Sequence, residues 1–97
     1  MKNIAMTRRL CSEDVEDVGD YFFAKRGDAD FIYLMHPSPL DDDGKTLVLL
    51  RVDTRGPQGR PIAWGWNGDQ DKPTIVPSIH TFGHWHGWVR KGELVTA

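Results

Sequence analysis

The fold is decided by the C-terminal stretch Trp85-His86-Gly87-Trp88-Val89-Arg90-Lys91-Gly92-Glu93-Leu94-Val95-Thr96. Two apolar runs, Trp85 to Val89 and Glu93 to Thr96, are separated by Arg90-Lys91-Gly92, and this spacing predicts a closing β-hairpin with glycine at the bend. In an extended run His84, His86 and Trp88 share one face, and Trp85 and Val89 share the other. The chain is therefore expected to end in two paired strands.

Further strands are predicted upstream of this hairpin. Phe31 to His36 is rich in β-favouring residues, and Thr46 to Val52 is apolar enough to be buried on both faces along part of its length. Ile62, Trp64 and Trp66 alternate and are expected to share one face. Thr74 to Ile79 is interrupted by Pro77, which predicts an edge strand or a bulge.

Helical periodicity is short wherever it occurs. Ser12 is expected to cap one turn over Glu13 to Val18, because its hydroxyl can accept a free backbone N–H. The fold class predicted is mainly β: a small single-domain sandwich or half-open barrel with at most one or two short helices. Residues 1–97 are expected to form one domain, with residues 1–12 as a flexible leader or an edge strand.

Composition places the chain among ordinary soluble domains. It has 97 residues, 39% of them hydrophobic and 27% charged, and Cys11 is its only cysteine. An internal disulfide and a four-cysteine zinc site are therefore excluded. No apolar run is long enough for a bilayer or for a signal peptide, so we expect no membrane association and a cytoplasmic location in a bacterial host.

Charge is unevenly distributed about a net value of −2. Residues 1–50 carry ten acidic and six basic side chains, and residues 51–97 carry four and six. Solvated loops explain this excess, and an acidic surface that mimics DNA phosphates is the alternative. Because no basic stripe is present, direct nucleic-acid binding is not expected.

Histidines cluster beside the tryptophans. All four tryptophans and three of the four histidines lie within residues 64–88. A His-x-His pair on a strand can present two imidazoles to one ion, so we expect a metal site, with zinc as the metal. The predicted ligands are drawn from His36, His80, His84 and His86.

Two alternatives to zinc remain open at this point. Iron would suit two histidines with a carboxylate from Asp69, Asp71 or Glu93. The second alternative is no metal, with histidines that hydrogen-bond within an aromatic core. A cupin site is a lesser variant of the first, since Glu93 follows His86 at a longer spacing than cupins use.

Other motifs are weaker. Asn67, Asp69 and Asp71 alternate as in a calcium loop, but Lys72 stands where glycine is needed, so we expect an ordinary turn. Ser78 lies in no nucleophile-elbow motif, and no catalytic residue is assigned. A Ser78–His80 or Ser78–His86 pair is kept as an alternative.

A binding surface is the other predicted feature. Tryptophan is a frequent anchor of protein interfaces, and an Asn-Gly-Asp turn lies between two tryptophan-bearing segments. The residues predicted to form this surface are Trp64, Trp66, Trp85, Trp88, Asn67 and Asp69.

Three segments carry a resemblance to a known family: Trp64 to Asp69, Lys72 to Ile79 and His86 to Leu94. In these the chain resembles uncharacterised phage and prophage proteins that are often mislabelled ammonia monooxygenase. The resemblance covers about residues 60–97 and implies a phage or prophage origin. The relatives carry cysteines that look like zinc ligands, and the resemblance implies that His36 and His84 replace them here, or that the metal was lost.

These observations predict a phage- or prophage-type accessory protein that binds a host or phage protein, with a histidine-based structural metal site. Binding is favoured over catalysis because about a hundred residues leave little scaffold for a supported pocket. The alternative is a metal-dependent hydrolase or oxygenase that uses the histidine cluster. A homodimer is a further expectation, since a chain this short buries little area alone.

Overall fold

The computed structural model describes residues 3–57, 63–81 and 84–97. Its strands form one mixed sheet in the order β1-β9-β8-β7-β6-β5-β4-β3-β2, curled into a nearly closed barrel. One 3-10 turn, Ser12–Asp14, precedes the third strand. The strands are β1 Ile4–Ala5, β2 Thr7–Arg8, β3 Asp20–Arg26, β4 Ala29–Pro37, β5 Lys45–Asp53, β6 Trp64–Trp66, β7 Ile75–Thr81, β8 Trp85–Arg90 and β9 Glu93–Thr96.

This architecture confirms the predicted mainly β class, in its barrel form. The closing hairpin is confirmed as β8 and β9, which pair from Gly87–Thr96 to Arg90–Glu93. Lys91 and Gly92 both have positive φ, 49° and 78°, as a two-residue hairpin turn requires. The sequence therefore placed the last two strands and their bend correctly.

The strands β3, β4 and β5 form an antiparallel meander whose alternate residues fill the core. Ile32, Leu34 and Leu50 point inward and are at most 4% exposed. Leu47 and Leu49 point outward and are 47% and 44% exposed. The prediction that Thr46 to Val52 is buried on both faces was wrong, because no described element covers the outer face of β5.

The N-terminal segment joins the two edges of the sheet. Ile4 pairs with Leu94 of β9, and three residues later Thr7 pairs with Asp20 of β3. Between them the N–H of Met6 donates to the carbonyl of Gly92 at 2.9 Å. Residues 4–8 are thus the edge strand that the sequence left as an alternative to a flexible leader.

One local prediction is wrong, and another is not tested by the described residues. Ser12 is the first residue of the 3-10 turn and does not cap it; Cys11 holds the capping position without a side-chain bond. Ile62 was expected to share a face with Trp64 and Trp66, but it lies outside the described residues. No helix in the described part of the chain is long and apolar enough to cross a membrane.

The irregularity predicted at Pro77 is present and positions the outer face of β7. Pairing between β7 and β8 shifts between Ile75, which opposes Val89, and Ile79, which opposes Gly87. After the shift, Ile79 points into the core at 2% exposure while Ser78 and His80 lie outside it. Proline cannot donate a ladder hydrogen bond, which accounts for the broken register.

Candidate active site

Ser78 and His86 form a hydrogen-bonded pair on the outer face of β7 and β8. His80 and His86 lie directly opposite each other across these strands, and Ser78 is two residues from His80 on the same face. The Oγ atom of Ser78 lies 3.0 Å from Nε2 of His86. Ser78 is partly exposed and His86 is exposed, so a solute can reach both. A hydroxyl beside an accessible imidazole is the arrangement of an activated serine nucleophile.

Three side chains surround this pair. The ring of His80 lies 4.9 Å from that of His86, and the ring of Trp88 lies 5.5 Å from it. The indole N–H of Trp64, on β6, donates to the carbonyl of Ser78 at 3.5 Å. His86 thus has two aromatic neighbours, and the backbone of Ser78 is bonded to the neighbouring strand.

Gly87 makes room for the packing beneath the site. A Cβ at this position would lie 2.2 Å from the indole of Trp85, which fills the space under β8. Trp85 is 6% exposed, and its indole N–H donates to Oγ1 of Thr96 at 3.0 Å. Any larger residue at Gly87 would displace Trp85 and the strand that carries His86.

Two clefts meet at the serine–histidine pair. The first, which we call the hairpin cleft, has a volume of about 590 Å³ and is bounded by residues 74–78, Trp88, Arg90 and Lys91. The second, which we call the terminal cleft, has a volume of about 510 Å³ and is bounded by residues 37–39, Gly44, residues 84–86, Thr96 and Ala97. Ser78 borders the first and His86 the second, so their hydrogen bond joins the two clefts.

A second serine–histidine pair lies at the far side of the terminal cleft. Oγ of Ser38 is 2.8 Å from Nδ1 of His84, and the same nitrogen is 3.3 Å from a carboxylate oxygen of Asp41. Ser38 is fully buried. Hydrogen bonds from the Ser38 and Thr46 hydroxyls, with a smaller contribution from His84, hold the pKa of Asp41 below its usual range. The hydroxyl of Ser38 is therefore hydrogen-bonded to a carboxylate.

His36 lies behind this second pair and is fully buried. Its Nδ1 lies 2.7 Å from the carbonyl of Pro37, and its Nε2 lies 2.9 Å from Oγ1 of Thr81. Its ring stacks on Trp85 with the centroids 5.0 Å apart. Burial lowers the pKa of His36, because the charged form loses hydration that the two hydrogen bonds only partly replace.

The four histidines predicted as metal ligands do not converge. His36 has both ring nitrogens engaged in the interior, His84 contacts Ser38 and Asp41, and His80 and His86 pair on the outer face. Within the described ranges no group of three His, Cys, Asp or Glu side chains is placed to hold an ion. The arrangement does not fit the three-histidine site that the sequence suggested, and zinc stays a prediction.

The four tryptophans predicted to form a binding surface divide into three groups. Trp85 lies in the core, so it is not part of an exposed surface. Trp64 and Trp66 are half-buried, and Trp66 stacks on Phe23 with the centroids 4.7 Å apart. Trp88 lines the hairpin cleft beside Ser78, and Trp64 reaches the Ser78 carbonyl with its indole N–H.

Asn67 and Asp69 shape a turn. The Asn67 carboxamide oxygen accepts from the N–H groups of Asp69 and Thr74, and Asp69 accepts from those of Asp71 and Lys72. The bonds from Lys72 and Asp71 lower the pKa of Asp69. These contacts support the ordinary turn that was preferred over a calcium loop.

Two residues of the region were not singled out in the sequence. Ser38 is flanked by prolines and gave no sign of its bond to His84, which lies 46 residues away. Arg90 was assigned to a bend, yet its guanidinium lies 4.8 Å from the centre of the Trp88 ring. The only sequence signal for this contact was the spacing of Trp88 and Arg90, because residues two apart in a strand lie on the same face.

A small barrel with an accessible serine–histidine pair between two clefts has the side chains that a serine hydrolase needs. Residues 23–97 match the family described as "Bacterial ubiquitination-like system serine protease (BubE)". The match covers well over half of the chain and includes both serine–histidine pairs, so this protein belongs to that family. No curated protein and no solved structure matches the chain.

Proposed function

We propose that this protein is a serine peptidase in which Ser78 is the nucleophile and His86 the general base. The observation that carries the proposal is the 3.0 Å contact between Ser78 Oγ and His86 Nε2 on an exposed face between two clefts. Family membership supports the same chemistry, because the family is described as a serine protease. The proposal replaces our expectation that binding alone is the function.

The reaction follows from the two side chains. Ser78 Oγ attacks the substrate carbonyl carbon while its proton passes to Nε2 of His86. His86 then gives that proton to the departing amine, which leaves an ester on Ser78. Water, losing its proton to His86, hydrolyses the ester and restores the hydroxyl. The rings of His80 and Trp88 hold the imidazole in place during both transfers.

The partner follows from the same proposal. A peptidase of a bacterial ubiquitination-like system would act on the proteins of that system in the bacterial cytosol, so the predicted protein partner becomes the substrate. The phage or prophage origin, the zinc site and the homodimer stay predictions that rest on the sequence.

The experiment is covalent labelling with a fluorophosphonate probe. Attack by Ser78 Oγ on phosphorus forms a P–O bond, breaks the P–F bond, releases fluoride and passes the proton to His86. We expect peptide mass spectrometry to place one label on Ser78. Ser78→Ala should abolish the label, whereas Ser38→Ala should keep it. A label on Ser38, or none in the folded wild-type protein, would refute the assignment.

A further inference from the structure

We infer that the hairpin cleft binds the acyl side of a peptide substrate and selects an acidic side chain there through Arg90 and Lys91. This rests on the proposed function, because it names a substrate for the Ser78–His86 pair. Four observations carry it: the positions of Ser78 and His86 relative to the two clefts, the apolar wall, the exposed position of Arg90, and the charge of the lining.

The direction of the substrate follows from the roles of the two side chains. The base that receives the serine proton must later reach the departing amine, so it lies toward the leaving group. His86 borders the terminal cleft and Ser78 borders the hairpin cleft. The leaving group therefore occupies the terminal cleft, and the residues that precede the scissile bond occupy the hairpin cleft.

The wall of the hairpin cleft suits an extended peptide. Trp88, which is half-buried, lines it with its indole, and Val76, at 49% exposure, presents an apolar side chain from the adjacent strand. Arg90 follows Trp88 on the same face of β8, about 7 Å further along the strand. An extended substrate would therefore place an apolar side chain against Trp88. A side chain two or three residues before the scissile bond would then lie at Arg90.

Arg90 is arranged to accept an anion. Its guanidinium lies over Trp88 with 4.8 Å between its carbon and the ring centre. Arg90 is exposed, and a guanidinium that lies over an aromatic ring can still offer N–H donors to a carboxylate in two-point fashion. Among residues 3–57, 63–81 and 84–97, no side chain forms an ion pair or hydrogen bond with this guanidinium.

The charged residues that line the cleft are both cations. Arg90 and Lys91 line it, and no described acidic residue does. Glu93 is the cross-strand neighbour of Arg90, but its carboxylate accepts from the side-chain amide of Asn3 at 3.3 Å. A substrate carboxylate would thus meet two cations beside an apolar wall, where screening by water is reduced.

The test separates binding from catalysis by using the Ser78→Ala protein. Two rhodamine-labelled peptides, identical except for Glu or Lys three residues before the scissile position, are titrated and followed by fluorescence polarisation. We expect the Glu peptide to bind at least tenfold more tightly, about 1.4 kcal/mol. Adding Arg90→Glu should reverse the preference. Arg51→Glu, the same charge change on exposed β5 outside the cleft, should preserve it.

The outcomes are distinguishable. Equal binding of the two peptides, no binding of either, or a preference that Arg90→Glu leaves intact would overturn the acidic subsite. Lys91→Gln, with thermal unfolding of each variant as a folding control, gives a second measure: a reduced Glu preference supports the subsite. A charge preference in Ser78→Ala, together with a wild-type protein that the fluorophosphonate does not label, would retain the subsite and reject the peptidase.

Discussion

The described part of the chain contains two serine–histidine pairs whose oxygen–nitrogen distances are nearly equal, 3.0 Å for Ser78–His86 and 2.8 Å for Ser38–His84. Their surroundings differ. Ser78 is partly exposed and contacts Nε2, whereas Ser38 is fully buried and shares Nδ1 of His84 with the Asp41 carboxylate. In the second pair the Asp41 carboxylate lies beside the same ring nitrogen that the serine contacts. The Ser38 hydroxyl therefore has a structural role. The oxygen–nitrogen distance alone does not identify a nucleophile. The exposure of the serine and the hydrogen-bond partners of its hydroxyl do.

The largest expected difference between the pairs is in the rate of labelling by a fluorophosphonate. His86→Gln removes the base at Ser78, and we expect a loss of about 10²- to 10⁴-fold. His84→Gln changes only the second pair, whose histidine is partly exposed, and should stay within about threefold of wild type. Rates are measured by gel fluorescence over time at equal protein concentration. A larger loss in His84→Gln than in His86→Gln would reverse our assignment of the two pairs.

The second difference is in stability. Ser38→Ala removes a buried hydroxyl that bonds to the partly exposed His84, and the loss of such a hydrogen bond costs about 0.5 to 1.5 kcal/mol of unfolding free energy. Ser78→Ala lies on the outer face and should cost less than about 0.5 kcal/mol. Urea unfolding followed by tryptophan fluorescence gives both values. Equal losses in the two variants would mean that Ser38 has no structural role beyond that of Ser78.

The comparison also shows what sequence reasoning reaches. Phe31 to His36, the irregular strand at Pro77 and the Arg90-Lys91-Gly92 bend follow from local preferences, and the structure contains all three. The site depends on register instead. Ser78 meets His86 only because pairing shifts after Ile75, and Ser38 meets His84 across 46 residues. Neither contact has a local signature, so the histidines were assigned to a metal and the Ser78–His86 pair was kept only as an alternative.

The third expected effect is a pH dependence of stability that arises from His36, the buried histidine behind the Ser38–His84 pair. Burial places the folded pKa of His36 below its ordinary value of 6.5. As pH falls below that value, the unfolded state takes up a proton that the folded state resists, so stability decreases until the folded pKa is reached. One such group contributes at most about 1.4 kcal/mol per pH unit. We expect the unfolding free energy of His36→Gln, measured with urea, to change less steeply with pH than that of wild type just below about pH 6.5; identical slopes would contradict this.

The smallest expected effect concerns the backbone beneath the exposed pair. The indole N–H of Trp64 reaches the Ser78 carbonyl at 3.5 Å, the long end of the hydrogen-bond range. Trp64→Phe keeps an aromatic ring and removes the donor, so we expect the labelling rate to fall by about two- to fivefold with little change in stability, since a weak neutral bond contributes about 0.5 to 1 kcal/mol. Trp66→Phe is the matched control, because its indole N–H donates to Asp69 at 3.2 Å, away from Ser78. The labelling rate should respond to Trp64→Phe and not to Trp66→Phe. Equal responses would assign the effect to general packing of the tryptophans and would remove Trp64 from the support of the nucleophile.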